Sequence, residues 1–234
     1  MSAPLLEVAG LEAWYGESHI LHGVDLRVDE GQTICILGRN GMGKTTTLRS
    51  IVGILRKRRG TIRFAGHDLM AVPLHRTAWT GLGFVPEERG IFASLTVEEN
   101  LLLPPRVAAG GMSLEEIYDL FPNLLERRRS QGTKLSGGEQ QMLAMARILR
   151  TGVRCLFLDE PTEGLAPVII HAIADVLIRL KERGMTVVIV EQNFRFASRI
   201  ADAFHLMDHG RITASFPVGE LQRNMDMLHQ ELGV

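Results

Sequence analysis

Apolar stretches of strand length, separated by turns, fill the first part of the 234-residue chain. Leu5–Val8 is a strand candidate, Ile20–Val28 alternates apolar and polar residues, and Thr33–Leu37 is continuously apolar. Alternation is typical of a strand with one buried face, and a short continuous run is typical of a fully buried strand. Gly60–Ala65 gives a further strand. We expect this strand-rich start to form a separate antiparallel layer.

Helical spacing replaces the strand pattern between roughly residues 87 and 148. Predicted helices cover Val97–Leu103, Ser113–Leu125 and Gly138–Leu149. Pro104-Pro105 and Gly110-Gly111 interrupt this block, as expected for loops between helices. The block therefore predicts a helical subdomain inserted into an α/β core.

Strand and helix patterns alternate again in the last third of the chain, which predicts a mostly parallel sheet. The predicted elements are the strand Cys155–Leu158, a helix near Val168–Arg183, the strand Thr186–Val190, the helix Phe194–Ala201, a hairpin of Ala203–Met207 and Arg211–Ser215, and an amphipathic helix beginning near Gly219.

The composition is that of an ordinary globular protein, with 45% hydrophobic and 23% charged residues. A net charge of −1 gives no electrostatic footprint for nucleic-acid binding. No stretch approaches the roughly 18–20 apolar residues that span a bilayer, and the start does not resemble a signal peptide. Cys35 and Cys155 lie within apolar strands, so we expect buried, reduced thiols and a cytoplasmic protein.

A phosphate-binding motif follows the Thr33–Leu37 strand and opens an amphipathic helix predicted at Thr45–Ile54. The run Gly38-Arg39-Asn40-Gly41-Met42-Gly43-Lys44-Thr45 fits G-x-x-x-x-G-K-[ST] completely. Its glycines let the backbone curl around phosphate oxygens, and Lys44 can reach the β- and γ-phosphates. We expect Thr45 to ligate Mg²⁺ and Thr46 to donate to the α-phosphate side. The run predicts a nucleoside triphosphate site at a helix N-terminus.

Two carboxylates end the apolar strand that begins at Cys155. We expect Asp159 to hold Mg²⁺, as in P-loop NTPases. Glu160 faces another direction one residue later, so it can orient or deprotonate an attacking water. The strand end therefore predicts a hydrolytic site.

A third motif, Leu135-Ser136-Gly137-Gly138-Glu139-Gln140-Gln141, lies between the phosphate loop and the acidic strand end. With these three motifs in this order, the whole chain resembles the ATP-binding cassette (ABC) family. The resemblance implies an α/β fold: a P-loop NTPase (RecA-like) core with an N-terminal antiparallel β layer and an inserted helical subdomain. A single domain would span residues 1–234, with core and β layer at approximately 1–86 and 150–234 and the helical subdomain at 87–149.

The resemblance also implies a set of site residues and a dimer. ATP and Mg²⁺ would be the cofactors, and Tyr15 would stack on adenine. In a head-to-tail dimer with a second ATP-binding subunit, identical or different, the third motif would close on the partner's ATP. We call this motif the signature. The signature residues are Ser136, Gly137, Gly138 and Glu139.

Three positions depart from the common family pattern. Glu87 stands where a Gln is usual, and it could ligate Mg²⁺ while adding negative charge. Gln192 stands where a His usually contacts the γ-phosphate; it can still form hydrogen bonds but cannot become cationic near pH 7. Ala166 replaces an Asp in the segment Glu163-Gly164-Leu165-Ala166, which lies at the dimer seam in the family.

These departures, together with Val85-Pro86-Glu87 and Leu95-Thr96-Val97-Glu98-Glu99-Asn100, resemble the smaller ATP-binding subunit of branched-chain amino acid importers. That subgroup implies two transmembrane permease subunits, a periplasmic or surface binding protein, and a peripheral place on the cytoplasmic face of the inner membrane. Related amide and urea importers share much of the pattern.

Other functions remain open from the sequence. A DNA-maintenance or translation ATPase usually carries coiled-coil insertions or two cassettes, which this chain lacks. A lipid or lipopolysaccharide exporter could use the same cassette. Gln192 and Ala166 also permit a degenerate cassette that binds ATP for assembly and hydrolyses it weakly.

Overall fold

The computed structural model describes residues 3–233, so residues 1, 2 and 234 of the predicted domain lie outside the described part. The strands are β1 (Leu6–Tyr15), β2 (Ser18–Val28), β3 (Thr33–Leu37), β4 (Arg58–Phe64), β5 (His67–Asp68), β6 (Leu82–Val85), β7 (Cys155–Asp159), β8 (Thr186–Glu191), β9 (Ala203–Asp208) and β10 (Arg211–Pro217). The helices are α1 (Lys44–Val52), α2 (Leu74–Thr77), α3 (Val97–Leu102), α4 (Leu114–Leu120), α5 (Pro122–Glu126), α6 (Gly137–Leu149), α7 (Pro167–Glu182), α8 (Phe194–Ile200) and α9 (Met225–Leu232).

The main sheet has the strand order β10-β9-β3-β8-β7-β6, and its strands run parallel except β10, which is antiparallel to β9. This arrangement confirms the predicted α/β fold class. The carboxyl ends of parallel strands meet at one edge of a sheet, where ligands bind in such folds. The segments that follow β3, β7 and β8 are therefore neighbours at this edge.

A second sheet, in the order β2-β1-β4-β5, is antiparallel and confirms the predicted β layer. Strand β1 is longer than the predicted Leu5–Val8. A register shift between Val8 and Leu11 interrupts its alternation, and Gly10 there has a φ of 57°. The Gly10 N–H donates to Asp25 Oδ1 at 2.7 Å, which satisfies the group that the irregularity frees. A bulge shifts the side-chain period by one residue and so hides the second half of a strand from pattern reading.

Two predicted helices are corrected by the structure. The predicted helix Ser113–Leu125 breaks at Phe121, whose φ and ψ of −130° and 73° separate α4 from α5. Pro122 is the cause, because proline disfavours helical geometry at the preceding residue. The final helix begins at Met225, after a 3₁₀ segment at Val218–Asn224.

Buried apolar side chains form two clusters on opposite faces of the main sheet. One cluster joins the antiparallel layer and α1 to the sheet. The other joins Leu101 and Leu143 of the inserted helices to Leu156 of β7 and Leu228 of α9. The inserted helices thus share a continuous core with the sheet. The domain limits at residues 86/87 and 149/150 stay a prediction.

Both cysteines are buried and free, and burial raises the pKa of each thiol. No helix within residues 3–233 combines the length and hydrophobicity needed to cross a membrane.

Candidate active site

The phosphate loop leaves β3 and turns sharply into α1. Gly41 and Gly43 have φ values of 84° and 105°, a region that L side chains rarely adopt. A Cβ on Gly38 would lie 2.5 Å from the Met207 carbonyl oxygen, so this position has no room for a side chain. Helix α1 has no side-chain cap at its N-terminus. Its first backbone N–H groups are therefore available to an anion.

Lys44 lies inside this loop with only 2% of its side chain exposed. Its Nζ donates to the carbonyl oxygens of Gly38 and Arg39 at 2.8 and 3.0 Å. It also pairs with Glu160 Oε1 at 3.0 Å. A buried ammonium requires such partners, and the loop holds its charge where a phosphate would bind.

Thr45 and Asp159 meet across the carboxyl edge of the sheet. The Thr45 hydroxyl donates to Asp159 Oδ1 at 2.7 Å. Asp159 is fully buried, and its Oδ2 has no hydrogen-bond partner among the described residues. Burial raises the pKa of Asp159 to about 6, although the Thr45 hydrogen bond and Arg49 act in the opposite direction.

This oxygen pair fits Mg²⁺, which prefers oxygen ligands and takes only one or two carboxylates from a protein. The orphaned Asp159 Oδ2 is the observation that supports the fit. Within residues 3–233, no three His, Cys, Asp or Glu side chains, at this site or elsewhere, form a group that could hold a metal. Phosphate and water would therefore supply the remaining ligands.

Glu160 adopts an unusual backbone conformation directly after β7. Its φ of 44° is left-handed, which costs a non-glycine residue about 1–3 kcal/mol. Its N–H donates to the Val190 carbonyl at 3.0 Å. Only 12% of its side chain is exposed, and the carboxylate points at Lys44. The strained turn thus aims Glu160 at the place where the terminal phosphate of a bound triphosphate would lie.

Glu87 follows β6 on the exposed side of the same edge. Burial raises the pKa of Glu163, and the charges of Glu160 and Glu87 raise it further. Both also help to raise the pKa of Asp159. Glu87 therefore lies near other carboxylates, and its ligation of Mg²⁺ stays a prediction.

Gln192 lies beside the phosphate loop, in a hollow that Asn40, Glu160 and Glu163 also line. The neighbouring Glu191 is buried, and its carboxylate accepts hydrogen bonds from the N–H groups of Gln192 and Asn193. Burial raises the pKa of Glu191, which four hydrogen bonds partly offset.

Tyr15 ends β1 with 44% of its surface exposed. Its hydroxyl shares a hydrogen bond with Arg49 of α1, and Arg49 also pairs with Glu88 at 2.8 Å. Tyr15 is thus partly exposed beside α1, and its stacking on adenine stays a prediction.

The signature begins α6 with Ser136 as its cap. The Ser136 hydroxyl accepts from the Glu139 N–H at 3.3 Å, and Glu139 Oε2 accepts from the Ser136 N–H at 2.7 Å. A Cβ on Gly138 would lie 2.6 Å from Ile169, so this helix start packs tightly on α7. Within residues 3–233, the hydrogen bonds of Ser136–Glu139 include none to the phosphate loop. The structure therefore groups Lys44, Thr45, Asp159, Glu160 and Gln192, and the hydrogen bonds of the signature do not join it to them.

Two features of the site were not evident from the pattern. Glu191 closes an apolar strand and reads as its first exposed residue, whereas it is 3% exposed. The Arg39 side chain reaches the last turn of α9, where its Nε donates to the Glu231 carbonyl at 2.9 Å. The one sequence feature that could have indicated a buried Glu191 is its position directly after the apolar run Val187–Val190. No sequence feature indicated that Arg39 contacts α9.

Comparison with known families and proteins gave a consistent result. A family sequence model described as ABC transporter matches residues 21–163. The chain is 37% identical to the high-affinity branched-chain amino acid transport ATP-binding protein BraG of Pseudomonas aeruginosa, over 89% of this chain and 91% of that one. It is 35% identical to a probable branched-chain amino acid transport ATP-binding protein, LivF, of Archaeoglobus fulgidus, over 93% and 94%.

A lipopolysaccharide export system ATP-binding protein, LptB of Haemophilus influenzae, is 32% identical over 90% of each chain. Among solved structures, a nucleotide-free ATP-binding cassette from an ABC transporter superposes with a TM-score of 0.84, at 24% identity and 99% coverage of both chains. A dimeric bacterial ABC transporter cassette gives a TM-score of 0.80, at 25% identity over 91% of this chain and 98% of that one.

Proposed function

Because this chain belongs to the ABC transporter family and is an ATPase, we propose that it energises an importer of branched-chain amino acids. The convergence of Lys44, Thr45, Asp159 and Glu160 at one sheet edge carries the hydrolytic part of the proposal. The transport of branched-chain amino acids assigned to two relatives of 35–37% identity supports the cargo.

In the proposed reaction the phosphate loop, Gly38 to Thr46, holds the triphosphate through backbone N–H groups. Lys44 exchanges its loop carbonyls for β- and γ-phosphate oxygens. Thr45 and Asp159 hold Mg²⁺, which would neutralise phosphate charge. Glu160 accepts a hydrogen bond from the attacking water, and Gln192 donates one to the γ-phosphate. Most of the acceleration is positional and electrostatic.

A second ATP-binding subunit completes each site. Ser136 and the N–H groups of Gly137 and Gly138 form a helix start suited to phosphate, and within residues 3–233 the hydrogen bonds of Ser136–Glu139 do not reach the phosphate loop of the same chain. A head-to-tail pair brings each signature onto the partner's ATP. Tyr15 stacks on the adenine at the outer side of α1.

The permease subunits would dock in an apolar groove between the sheet and the inserted helices. Its lining includes Ile54, Leu74, Trp79 and Pro104. Trp79 is 59% exposed, which is unusual for so large an apolar side chain and typical of an interaction surface. A cytoplasmic helix of one of the two permease subunits would occupy this groove, with the chain at the cytoplasmic face of the membrane. A periplasmic or surface binding protein would deliver the cargo.

The hydrolytic assignment is tested by Glu160→Gln in the complex with its partner subunits. We expect phosphate release to fall about 100-fold, within the usual contribution of a general base, while MgATP binding persists. Glu30→Gln is the matched control, because Glu30 pairs with Arg154 outside the site. Normal hydrolysis by Glu160→Gln would contradict the role of Glu160. Weak hydrolysis by the unaltered complex would favour a degenerate cassette.

The cargo is tested by uptake of labelled leucine into vesicles that contain the native membrane complex. We expect ATP-dependent uptake that the Glu160→Gln variant abolishes. Urea and short amides are the competing cargoes, and their uptake in place of leucine would overturn the assignment. Because LptB also matches the chain, lipopolysaccharide is a further competing cargo. Its ATP-dependent extraction from the vesicles in place of leucine uptake would also overturn the assignment.

A further inference from the structure

Glu191 is a buried carboxylate at the centre of the carboxyl edge of the main sheet. It ends β8, the strand between the phosphate-loop strand β3 and the acidic strand β7. Its register partner in β3 is Leu37, the last residue before the phosphate loop. A charge that is 97% removed from solvent requires a specific set of donors.

The two oxygens of Glu191 serve two different loops. Oε1 accepts from the N–H and the hydroxyl of Thr162, at 3.1 and 2.7 Å. Oε2 accepts from the N–H groups of Gln192 and Asn193, at 3.1 and 3.0 Å. One side chain therefore joins the loop after β7 to the loop after β8.

Each of these loops carries a group that faces the terminal phosphate in the proposed reaction. Thr162 lies two residues after Glu160, whose left-handed backbone must be held from both sides. Gln192 is bound directly through its own N–H. Asn193 in turn caps α8 by accepting from the Phe196 N–H at 3.1 Å, which fixes the second loop to a helix.

We infer that Glu191 is a positioning residue for ATP hydrolysis: it fixes the loop of Glu160 against the loop of Gln192 and so sets the spacing of these two groups around the γ-phosphate. This inference rests on the hydrolytic roles proposed for Glu160 and Gln192. Only a carboxylate fits the position, because a glutamine has one acceptor oxygen and would turn N–H groups toward one of the two donor pairs.

The decisive variant is Thr162→Val, which keeps the shape and the backbone N–H of Thr162 and removes one hydrogen bond to Glu191. Thr186→Val is the matched control. Thr186 begins β8, the strand that Glu191 ends, is buried like Thr162 (0% and 5% exposed), and accepts from the Gly31 N–H at 2.8 Å. It lies about 17 Å from Glu191 at five residues of strand rise. Both variants lose a buried hydroxyl hydrogen bond. Only Thr162→Val weakens the set of hydrogen bonds by which Glu191 joins the two loops, which we call the clamp.

In the assembled complex we expect Thr162→Val to slow single-turnover ATP hydrolysis about ten-fold, which corresponds to a small misplacement of reacting groups. ATP affinity should change less than about two-fold, because the phosphate loop is untouched. Thr186→Val should lower thermal stability similarly and hydrolyse ATP at the normal rate. Equal rates in the two variants, or a rate loss that follows thermal stability, would overturn the inference.

Amide hydrogen exchange at Gln192 and Asn193 tests the clamp without using hydrolysis. We expect Glu191→Met to speed exchange at these two amides about ten-fold, since both acceptor oxygens of Glu191 are lost. Unchanged exchange would refute the clamp even if the complex hydrolyses ATP. Fast exchange in the variant of a complex that does not hydrolyse ATP would instead refute the proposed function and keep the clamp as a structural contact.

Discussion

At the scale of single residues, burial decides the chemistry of the site more than residue identity does. Lys44, Asp159 and Glu191 are all charged residue types with 3% exposure or less. Each is therefore defined by its few partners, and the orphaned Asp159 oxygen and the loop-bound Lys44 ammonium are arranged for ligands of opposite charge. Glu87 lies at the exposed side of the same edge, where water screens its charge.

His205 gives a pH-dependent prediction at this scale. Burial in β9 lowers the pKa of His205 to about 4, and its Nδ1 lies 2.8 Å from Ser215 Oγ. The folded state binds this proton less well than the unfolded chain. The resulting stability is complete above about pH 6.5 and is lost as the pH falls toward 4.

We expect the His205→Gln variant, measured by urea unfolding, to lose less stability than the wild type between pH 7 and pH 4.5. The difference should be on the order of 1–2 kcal/mol, because the ring is only partly buried. An identical loss in both proteins would contradict the assignment of His205 as a buried neutral residue.

At the scale of elements, three helices of the inserted block use the same capping box. Thr96 with Glu99, Ser113 with Glu116, and Ser136 with Glu139 cap α3, α4 and α6. This repetition provides an internal comparison between a purely structural cap and the proposed signature cap.

Ser113→Ala and Ser136→Ala should each destabilise the protein by about 1 kcal/mol, the usual cost of losing a cap. Only Ser136→Ala should also reduce ATP hydrolysis, by about ten-fold or more, because in the proposed dimer its hydroxyl would also serve the partner's ATP. Thermal unfolding and phosphate release of the two variants test this. Equal ATPase activity of the Ser113→Ala and Ser136→Ala variants would contradict the proposed role of Ser136 in ATP hydrolysis.

Arg39 connects two elements that are far apart in sequence. Its guanidinium donates to the carbonyls of Gln230 and Glu231 and so caps the C-terminus of α9. Arg39→Met should speed amide exchange across α9 about five-fold, because a charged donor at a helix C-terminus is lost. Arg223→Met, at an exposed residue just before α9, is the control. Unchanged exchange in Arg39→Met would show that the contact does not hold the helix.

At the scale of the whole molecule, the proposed dimer would build each ATP site from two chains. Within residues 3–233, the hydrogen bonds of Ser136–Glu139 do not reach the phosphate loop of the same chain, and in the proposed head-to-tail dimer the phosphate loop and the signature would serve different ATP molecules. The phosphate loop can then be inactivated by substitution in one chain and the signature in another.

Lys44→Ala and Ser136→Ala chains should each form inactive or weakly active dimers. If the chain pairs with itself, mixing the two variants should restore about a quarter of the wild-type ATPase rate, because half of the dimers contain one intact site of two. If the partner is a different subunit, the Lys44→Ala defect should be confined to this chain's ATP. No recovery in the mixed homodimer would contradict the head-to-tail arrangement.

The sequence alone determined the fold class, the β layer and the order of the motifs, because these depend on local periodicity and on glycines and charged residues at fixed spacing. It failed where local order was broken by a neighbour, as at the bulge in β1 and at Phe121 before Pro122. The site was predicted as far as its residues follow strands directly, as Asp159, Glu160 and Gln192 do.

Only the tertiary structure decided which of these groups meet. It placed β8 between β3 and β7, and thereby put Glu191 between the two loops that face the phosphate site. It also brought the end of α9 onto the Arg39 side chain. Hydrophobic periodicity specifies which face of an element is buried, but strand order and the burial of a lone carboxylate follow from packing between distant segments, which no local pattern records.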